Sequence, residues 1–343
     1  MRYPPFLKSS GTIGFIAPAF GCAMEPYRSC FEEAKKNFSE MGFSLLDGPN
    51  CYASCGTGKS NTPRACGEEI NDFFLRRPAD VLISCGGGET MCEDLPYVDF
   101  DSIRSAPPKW FMGYSDNTNL TFTLPVLCDT AAVYGPCAHT FGMHPWHQAL
   151  RDALDLLQGK CLQVSDYGGW ESSSLKSELE PFVPYHITEP FRAVSVPPVS
   201  ADPLRFSGRL IGGCLDCLIN LCGTSFDRTA AFAEKYAGDG ILWFLEACEL
   251  DPLQIRRALW QLDNAGWFRN ASGFLIGRPY LFEDEIFGVN RHSAVTEVLE
   301  KYNVPIVMDA DIGHLPPMMP LIAGSVADVE FTGEHLHVSM HLV

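Results

Sequence analysis

The sequence predicts a two-domain α/β protein in which parallel strands are covered by helices. Short apolar runs alternate with segments that repeat apolar residues at helical spacing, and this alternation is typical of βαβ units. The chain has 343 residues, and a domain usually has roughly 100–200. The alternation breaks between residues 165 and 207, where six prolines occur. We therefore predict an N-terminal α/β domain over 1–164, an irregular Pro-rich connection over 165–207 and a C-terminal α/β domain over 208–343.

In the N-terminal domain, strands are predicted at short apolar runs and helices where apolar residues recur every three or four positions. In the first helix, Phe31, Ala34 and Phe38 share one face. The second helix should begin at Thr62 and Pro63, because a polar cap followed by proline suits a first turn. The predicted strands are 12–17, 43–46, 80–85, 109–114 and 131–134, and the predicted helices are 27–41, 147–157, one from 63 and one from 117.

The C-terminal domain repeats this alternation. Segment 240–245 (GILWFL) is its clearest buried strand, and in the following helix Ile255, Leu259 and Leu262 point to one side. A turn signal around Gly333 predicts a hairpin near the end of the chain. Strands are predicted at 208–211, 240–245, 273–277 and 305–309, helices at 212–221, 253–262 and 292–302, and the hairpin over 328–338.

The charge balance limits the possible partners. Lys and Arg total 25 against 42 Asp and Glu, so the formal net charge is −17. Nucleic acids and anionic membranes bind clustered basic residues, and we expect neither as a partner. No segment approaches the ~20 apolar residues that a membrane-spanning helix needs, and residues 1–20 lack the pattern of a signal peptide. We therefore expect a cytoplasmic protein.

The 14 cysteines predict neither a disulfide framework nor a metal site. Disulfide frameworks are typical of short secreted chains. Cys214 and Cys217 form a single CxxC, but no second pair follows, and they lie in an apolar helical stretch where cysteine packs as a small hydrophobe. The histidines within 139–147 lack an acidic partner at a suitable spacing. We therefore expect reduced, structural thiols and no metal.

Three polar residues follow predicted strands, where open α/β sheets bind ligands. Ser115 lies in a strand-to-helix turn, and its hydroxyl could be a nucleophile or simply cap the helix. Glu246 follows the strand 240–245 and could orient a catalytic imidazole or be a solvated acid at a helix start. His314 lies in a loop with two prolines and could be a general base or a packed histidine. The residues alone leave these alternatives open.

Gly86, Gly87 and Gly88 follow another predicted strand. Such glycines allow backbone N–H groups to point into a cleft, as an oxyanion hole or a phosphate cradle requires. The turn has neither the GxGxxG spacing of a dinucleotide site nor the Lys of a P-loop. A nicotinamide- or flavin-dependent enzyme is therefore disfavoured.

Longer motifs connect these features. The most specific is PKWFMGYSDNT at 108–118, and GTIGFIAPA stands at 11–19. Further motifs are GGG at 86–88, LPYVDF at 95–100, GRLIGGCL at 208–215, FLE at 244–246 and GHLPPM at 313–318. In this order they resemble the LD-carboxypeptidase family of serine peptidases, and they are closest to its microcin C immunity (MccF-like) branch. The resemblance covers nearly the whole chain.

The resemblance implies a serine hydrolase with a triad of Ser115, Glu246 and His314. It places the nucleophile in a flavodoxin-like (Rossmann-like) N-terminal domain and the other two residues in the C-terminal domain, with the substrate cleft between them. The backbone N–H groups of Asp116 and of the 87–88 turn would form the oxyanion hole. The family's chemistry needs no metal and no cofactor, and the resemblance also implies a homodimer.

The substrate is less clearly indicated. The GGGET turn and the insertion containing Trp170 are closer to the microcin immunity branch, in which a loop tryptophan helps to hold an adenylate. Trp170 is therefore a candidate for stacking on a base, with packing inside the loop as the alternative. Glu249 and Arg257 are further candidates for substrate contacts, and Glu249 is also an alternative triad acid.

We predict cleavage of an amide bond in a small peptide or in a peptidyl- or aminoacyl-adenylate of the microcin C type. The alternative substrate is a murein tetrapeptide that loses its terminal D-alanine. An alternative of another class is a catalytically inactive binding protein on the same fold.

Overall fold

The computed structural model describes residues 1–56 and 58–343, which form two large sheets with helices on their faces. The strands in these residues are, in chain order, β1 (Thr12–Ile16), β2 (Ser44–Asp47), β3 (Val81–Ser84), β4 (Trp110–Gly113), β5 (Ala132–Tyr134), β6 (Gln163–Ser165), β7 (Gly169–Trp170), β8 (Glu189–Pro190), β9 (Val194–Val196), β10 (Leu204–Cys214), β11 (Ile241–Glu246), β12 (Ala271–Gly277), β13 (Ile306–Ala310), β14 (Leu321–Ala323), β15 (Val326–Phe331) and β16 (Leu336–His341).

Helices cover both sheets. They are α1 (Tyr27–Glu40), α2 (Pro63–Leu75), α3 (Phe100–Ser105), α4 (Thr118–Thr121), α5 (Thr123–Cys128), α6 (Gln148–Leu157), α7 (Leu215–Leu221), α8 (Thr229–Lys235), α9 (Pro252–Asn264) and α10 (Arg291–Leu299). The predicted cap at α2 is present, since the Thr62 side chain accepts a hydrogen bond from the Ala65 N–H. No helix among the described residues combines the length and the apolar character that crossing a membrane requires.

The first sheet has the strand order β14-β5-β4-β3-β1-β2. Its five N-terminal strands are parallel, and β14 joins the edge antiparallel to β5. Strand β3 is buried along its length, as expected when helices cover both faces of a parallel sheet. This arrangement confirms the predicted α/β class of the N-terminal half.

The second sheet has the strand order β6-β16-β15-β10-β11-β12-β13-β9. Strands β10 to β13 are parallel and fully or largely buried, whereas the outer strands pair antiparallel. Contacts of Tyr114 and Glu246 with His314 bring the carboxyl ends of β4 and β11 to the loop that follows β13. The polar residues that follow these strands can therefore meet.

The chain crosses between the sheets more often than the simple partition at 164 and 208 implies. Strand β6 pairs with β16, and β9 pairs with β13, so the predicted connection and its N-terminal flank add edge strands to the second sheet. Strand β14 returns to the first sheet. In each case the added strand pairs with an edge that would otherwise have unpaired backbone groups.

Candidate active site

Ser115 lies in the turn between β4 and α4 with a backbone φ of 61°. Residues other than glycine rarely adopt this left-handed conformation, and it is frequent where a site holds its backbone under strain. The Gly-rich turn faces the serine, because a Cβ added to Gly87 would lie 3.3 Å from Ser115 Oγ. A Cβ on Gly88 would lie 3.1 Å from Asp116 Oδ2. The turn thus packs directly against Ser115 and against Asp116, the residue with which it is predicted to form an oxyanion hole.

Glu246 is the last residue of β11, and its side chain is fully buried. Its Oε2 atom lies 2.8 Å from Nδ1 of His314, and its Oε1 atom accepts a 2.6 Å hydrogen bond from the Tyr134 hydroxyl. Gly313 makes this approach possible, since a Cβ there would lie 2.6 Å from Glu246 Oε2. Both oxygens of the Glu246 carboxylate are therefore hydrogen-bonded.

His314 follows β13 in the Pro-rich loop, and its ring packs against that of Tyr114 with the centroids 5.1 Å apart. Its Nδ1 atom is hydrogen-bonded to Glu246, whereas its Nε2 atom is buried without a hydrogen-bond partner among the described residues. A neutral imidazole that donates from Nδ1 has its lone pair on Nε2. This tautomer can accept a proton from a nucleophile.

The pKa values of this pair shift in opposite directions. Burial alone would raise the pKa of Glu246, but the charge of His314 and hydrogen bonds from His314 and Tyr134 bring that pKa below its usual value. Burial lowers the pKa of His314, but the Glu246 charge and the Cys248 side chain outweigh it and bring that pKa well above its usual value. The buried carboxylate and imidazole therefore stabilise each other in their charged forms.

Tyr134 lies at the candidate site but is not among the site residues predicted from the sequence. It ends β5, next to β4 in the sheet, and its hydroxyl oxygen also accepts a 3.3 Å hydrogen bond from the Ser115 N–H. One hydroxyl thus connects the serine turn to Glu246 across the cleft. The rule that located the other three residues, a polar residue at the end of a parallel strand, would have located Tyr134 as well.

The two halves also touch beside the serine. The Cys214 N–H donates a 3.0 Å hydrogen bond to Thr118 Oγ1, and a Cβ on Gly213 would lie 2.6 Å from Thr118 Cγ2. The Cys217 thiol lies 3.6 Å from the Ser115 carbonyl oxygen. The CxxC segment thus packs against the serine turn, and Cys214 and Cys217 are buried thiols, as predicted.

Asp116 contributes its side chain to the support of the turn. The carboxylate accepts 2.9 and 3.0 Å hydrogen bonds from the Met91 N–H and from Asn119. Burial, followed by the charge of Glu89, raises the pKa of Asp116 to about 6. These contacts fix the residue whose N–H is predicted to face the oxyanion.

The three predicted substrate contacts differ in their position. Trp170 is only 7% exposed, with the Arg278 guanidinium 4.3 Å from its ring centroid and the Phe282 ring at 5.0 Å, so its side chain packs against the segment that follows β12. Arg257 is exposed on α9 and lines a groove on the outer surface, to which none of the three candidate triad residues contributes. Glu249 is exposed three residues after Glu246, and Glu246 is the carboxylate that hydrogen-bonds His314.

A cavity of about 300 Å³ opens beside His314. Its walls include Tyr114, Tyr185, His139 and Lys176. A larger cavity of about 830 Å³ lies between α3, α5 and α8, and none of the three candidate triad residues lines it. Of these two cavities, only the smaller one is lined by a candidate triad residue, His314.

Two family models match the chain. The LD-carboxypeptidase N-terminal domain matches residues 13–135, and the LD-carboxypeptidase C-terminal domain matches residues 207–329. A Vibrio cholerae protein with a provisional carboxypeptidase name is 26% identical over 341 residues, covering 96% of each chain. The microcin C7 self-immunity protein MccF of Escherichia coli is 23% identical over 334 residues, covering 96% of this chain and 93% of MccF.

Solved structures show the same fold. MccF in complex with aspartyl sulfamoyl adenosine superposes with a TM-score of 0.81 at 20% identity, covering 99% of both chains. An MccF-like protein from Bacillus anthracis gives a TM-score of 0.83 at 21% identity, covering 99% of this chain and all of the other. Both domains of the family are thus matched in order, and the chain belongs to the LD-carboxypeptidase family.

Proposed function

We propose that the protein is a serine hydrolase whose triad is Ser115, Glu246 and His314. The observation that carries this proposal is the 2.8 Å contact between Glu246 and His314 Nδ1, which leaves the buried Nε2 atom without a hydrogen-bond partner among the described residues. The His314 ring packs against Tyr114, which directly precedes Ser115 and its left-handed backbone. A carboxylate that orients an imidazole beside a serine is the arrangement that acyl transfer requires.

In the proposed reaction, His314 Nε2 removes the Ser115 proton while Oγ attacks the carbonyl carbon of an amide. The negative charge that develops on the carbonyl oxygen is stabilised by N–H groups of the 87–88 turn and of Asp116, and removing such a donor typically costs about 2.7–4 kcal/mol of the barrier reduction. His314 then donates the proton to the leaving nitrogen. Water hydrolyses the acyl-enzyme, and Glu246 holds the imidazole in place in both steps.

The substrate we favour is an aminoacyl- or peptidyl-nucleotide of the microcin C type. MccF has been solved with AMP, aspartyl sulfamoyl adenosine and glutamyl sulfamoyl guanosine. The chains match over 98–99% of their lengths in these superpositions. The buried position of Trp170 means that base stacking by this residue would need a rearrangement of its loop.

Murein peptides are the second candidate. A muramoyltetrapeptide carboxypeptidase from Oxalobacter formigenes superposes with a TM-score of 0.70 at 17% identity, covering 96% of this chain and 99% of the other. The cavity beside His314 contains Lys176, a cation that could hold the carboxylate of a terminal amino acid. This cavity is the specific observation that favours the second candidate.

The test is to incubate the purified protein with aspartyl sulfamoyl adenosine and with a murein tetrapeptide and to follow both by mass spectrometry. We expect cleavage of the nucleotide and loss of activity in Ser115→Ala. Release of D-alanine without action on the nucleotide would replace the first substrate by the second. Full activity of Ser115→Ala would show that Ser115 is not the nucleophile. Failure of a fluorophosphonate to label the folded protein would favour an inactive binding protein.

We also propose a cytoplasmic location and a homodimer. Buried free thiols such as Cys22, Cys51 and Cys85 suit a reducing compartment. Sedimentation of the full chain tests the dimer, and fractionation of the cells that make it tests the location.

A further inference from the structure

The loop that carries His314, residues 311–319, begins directly after an irregularity of β13. The pairing of β12 with β13 shifts at this point, so that Gly277 lies opposite Ala310 and Asp309 is an extra residue. The backbone φ of Asp309 is 61°. A bulge of this kind bends a strand and re-aims the residues that follow it. It therefore sets the direction in which the chain enters the His314 loop.

Backbone hydrogen bonds hold the His314 loop on both sides of the histidine. The Met319 N–H donates a 2.7 Å hydrogen bond to the Asp311 carbonyl oxygen, which closes the loop at its base. The Glu171 N–H donates a 2.8 Å hydrogen bond to the Pro316 carbonyl oxygen. His314 lies between these contacts along the chain, so its backbone is supported by residues that come before and after it.

A buried ion pair lies at the first residue of this loop. Asp311 is fully buried, and its two oxygens accept 3.0 Å hydrogen bonds from Arg278 Nη2 and from the Tyr167 N–H. Arg278 directly follows β12 and is only 3% exposed. Its Nη2 atom also lies 3.2 Å from the Asp309 carbonyl oxygen. One guanidinium thus contacts both the bulge and the first residue of the loop.

The same guanidinium connects the loop to the segment that contains Trp170. It lies 4.3 Å from the centroid of the Trp170 ring, an arrangement in which a cation and an aromatic face attract each other. Tyr167 and Glu171 flank this tryptophan, and their N–H groups bond the His314 loop at Asp311 and at Pro316. The segment therefore lies along the loop, with the guanidinium between them.

Such an ion pair is an expensive way to stabilise a fold. Well-packed apolar residues often serve as well as a buried pair of charges. A catalytic imidazole has a stricter requirement, because a misplacement of about 1 Å can cost about 10²-fold in rate. His314 has to keep its Nδ1 atom within hydrogen-bond distance of Glu246, which is 2.8 Å away. Charged, directional contacts at the base of its loop meet this requirement.

We propose that Arg278 and Asp311 are positioning residues, which fix the loop so that His314 keeps its contact with Glu246. This inference rests on the proposed hydrolase function and adds to it two residues that act through the histidine. A neighbouring ion pair provides the comparison. Arg291 lies 2.9 Å from the Asp309 carboxylate, in the same strand end, but it belongs to α10 and not to the loop.

The experiment compares two double variants with the same pair of substitutions. Arg278→Met/Asp311→Asn removes the proposed pair without leaving an unpaired buried charge, and Arg291→Met/Asp309→Asn removes the neighbouring pair. In the first variant kcat should fall about 10²-fold while KM stays within about threefold. The second should retain most of its kcat. Urea unfolding of both variants separates these effects from a loss of folded protein.

A second measurement needs no turnover. Against the effect of burial, the Glu246 charge brings the pKa of His314 well above its usual value. NMR titration follows this imidazole in Ser115→Ala, and its signal is identified by its loss in His314→Gln. Adding Arg278→Met/Asp311→Asn should lower its titration midpoint by about one pH unit, because a displaced loop weakens the contact with the carboxylate.

Direct charge effects on this midpoint largely cancel, since the double variant loses one positive and one negative charge. The neighbouring pair of substitutions, Arg291→Met/Asp309→Asn, should leave the midpoint nearly unchanged. Arg278→Lys is a further variant that keeps the buried positive charge but not the planar group beside Trp170. Its kcat should fall roughly tenfold, and it decides the question if the first double variant does not fold.

Unchanged kcat and an unchanged midpoint in the Arg278 variants would overturn the inference and leave the hydrolase function intact. Equal losses of kcat in the two double variants, in proportion to their losses of stability, would also overturn it, because the pair would then serve the fold alone. If the unchanged protein cleaves neither substrate, the hydrolase proposal fails, and the titration still decides whether Arg278 and Asp311 position His314.

Discussion

Two of the pairs of a buried carboxylate and a histidine at the second sheet differ in what else they contact. Glu246 bonds His314 through Nδ1 and takes its other hydrogen bond from the neutral Tyr134 hydroxyl. Asp309, in β13, lies 2.7 Å from Nε2 of His292 and also receives Arg291 at 2.9 and 3.1 Å.

The surroundings of the two carboxylate–histidine pairs suit different roles. At Asp309 an arginine, which is always charged, neutralises the carboxylate, and the pair fastens α10 to the sheet. At Glu246 no arginine or lysine pairs with the carboxylate within the described residues, so the only cation available to it is the imidazole. A histidine that must gain a proton during a reaction needs the second arrangement.

The largest expected contrast is between the two histidines. His314→Ala should lower kcat by about 10⁴-fold or more, which is the loss that removal of a triad base causes in serine hydrolases. His292→Ala should stay within about threefold of the unchanged protein, because Arg291 still pairs with Asp309. Steady-state kinetics on the cleaved substrate measure both. A similar loss in the two variants would show that the second pair also takes part in the reaction.

The two carboxylates should separate activity from stability. Glu246→Gln should lower kcat by roughly 10³–10⁴-fold, since the amide no longer secures the Nδ1–H tautomer. Asp309→Asn should retain most activity but lower the free energy of unfolding by about 1–3 kcal/mol, because Arg291 loses its partner beside a buried group. Urea unfolding and kinetics on the same preparations check both. Unchanged stability in Asp309→Asn would mean that the ion pair does not anchor α10.

The Tyr134 hydroxyl connects the Ser115 turn to Glu246, and its removal should have a smaller effect on kcat. Tyr134→Phe removes the hydroxyl that donates to Glu246 and accepts from the Ser115 N–H, and we expect kcat to fall about 10-fold, the equivalent of one hydrogen bond to a charged group. Tyr302→Phe is the matched control, since its hydroxyl bonds Asp263 outside the cleft. If both variants kept full activity, Tyr134 would be a packing residue only.

Much of this arrangement could be predicted from local patterns. The parallel strands are short apolar runs, so their existence and direction follow from composition and alternation. Ser115, Glu246 and His314 were located because each follows such a strand. The joining of the two sheets could not be predicted in this way, because β6, β9 and β14 are short edge strands whose pairing depends on distant partners.

The charged groups around the site could not be predicted from the sequence either. Asp216 lies 32 and 33 residues before Cys248 and Glu249, and only the fold brings its carboxylate to their N–H groups. Arg257 was a candidate for substrate contacts, but it is exposed on α9 and lines a groove on the outer surface. Helical periodicity fixes which residues share a face, whereas the partner of that face is a tertiary property.

The smallest predicted effect concerns pH and tests the charge at His314. Since the Glu246 charge raises the pKa of His314 above 6.5, the imidazole holds its proton to higher pH, and only the neutral form can act as a base. We therefore expect kcat/KM to rise with pH through an inflection above 6.5.

Cys248→Ala should lower this inflection by less than about one pH unit, since the Cys248 side chain also raises the pKa of His314. Cys161→Ala, at an exposed position, is the control and should leave the profile unchanged. The measurement is kcat/KM from pH 5 to 10 at constant ionic strength. Because burial alone lowers the pKa of this imidazole, an inflection at or below 6.5 would show that the carboxylate does not hold the histidine charged in the free enzyme. The contrast between the Glu246 and Asp309 pairs would then lose its electrostatic basis.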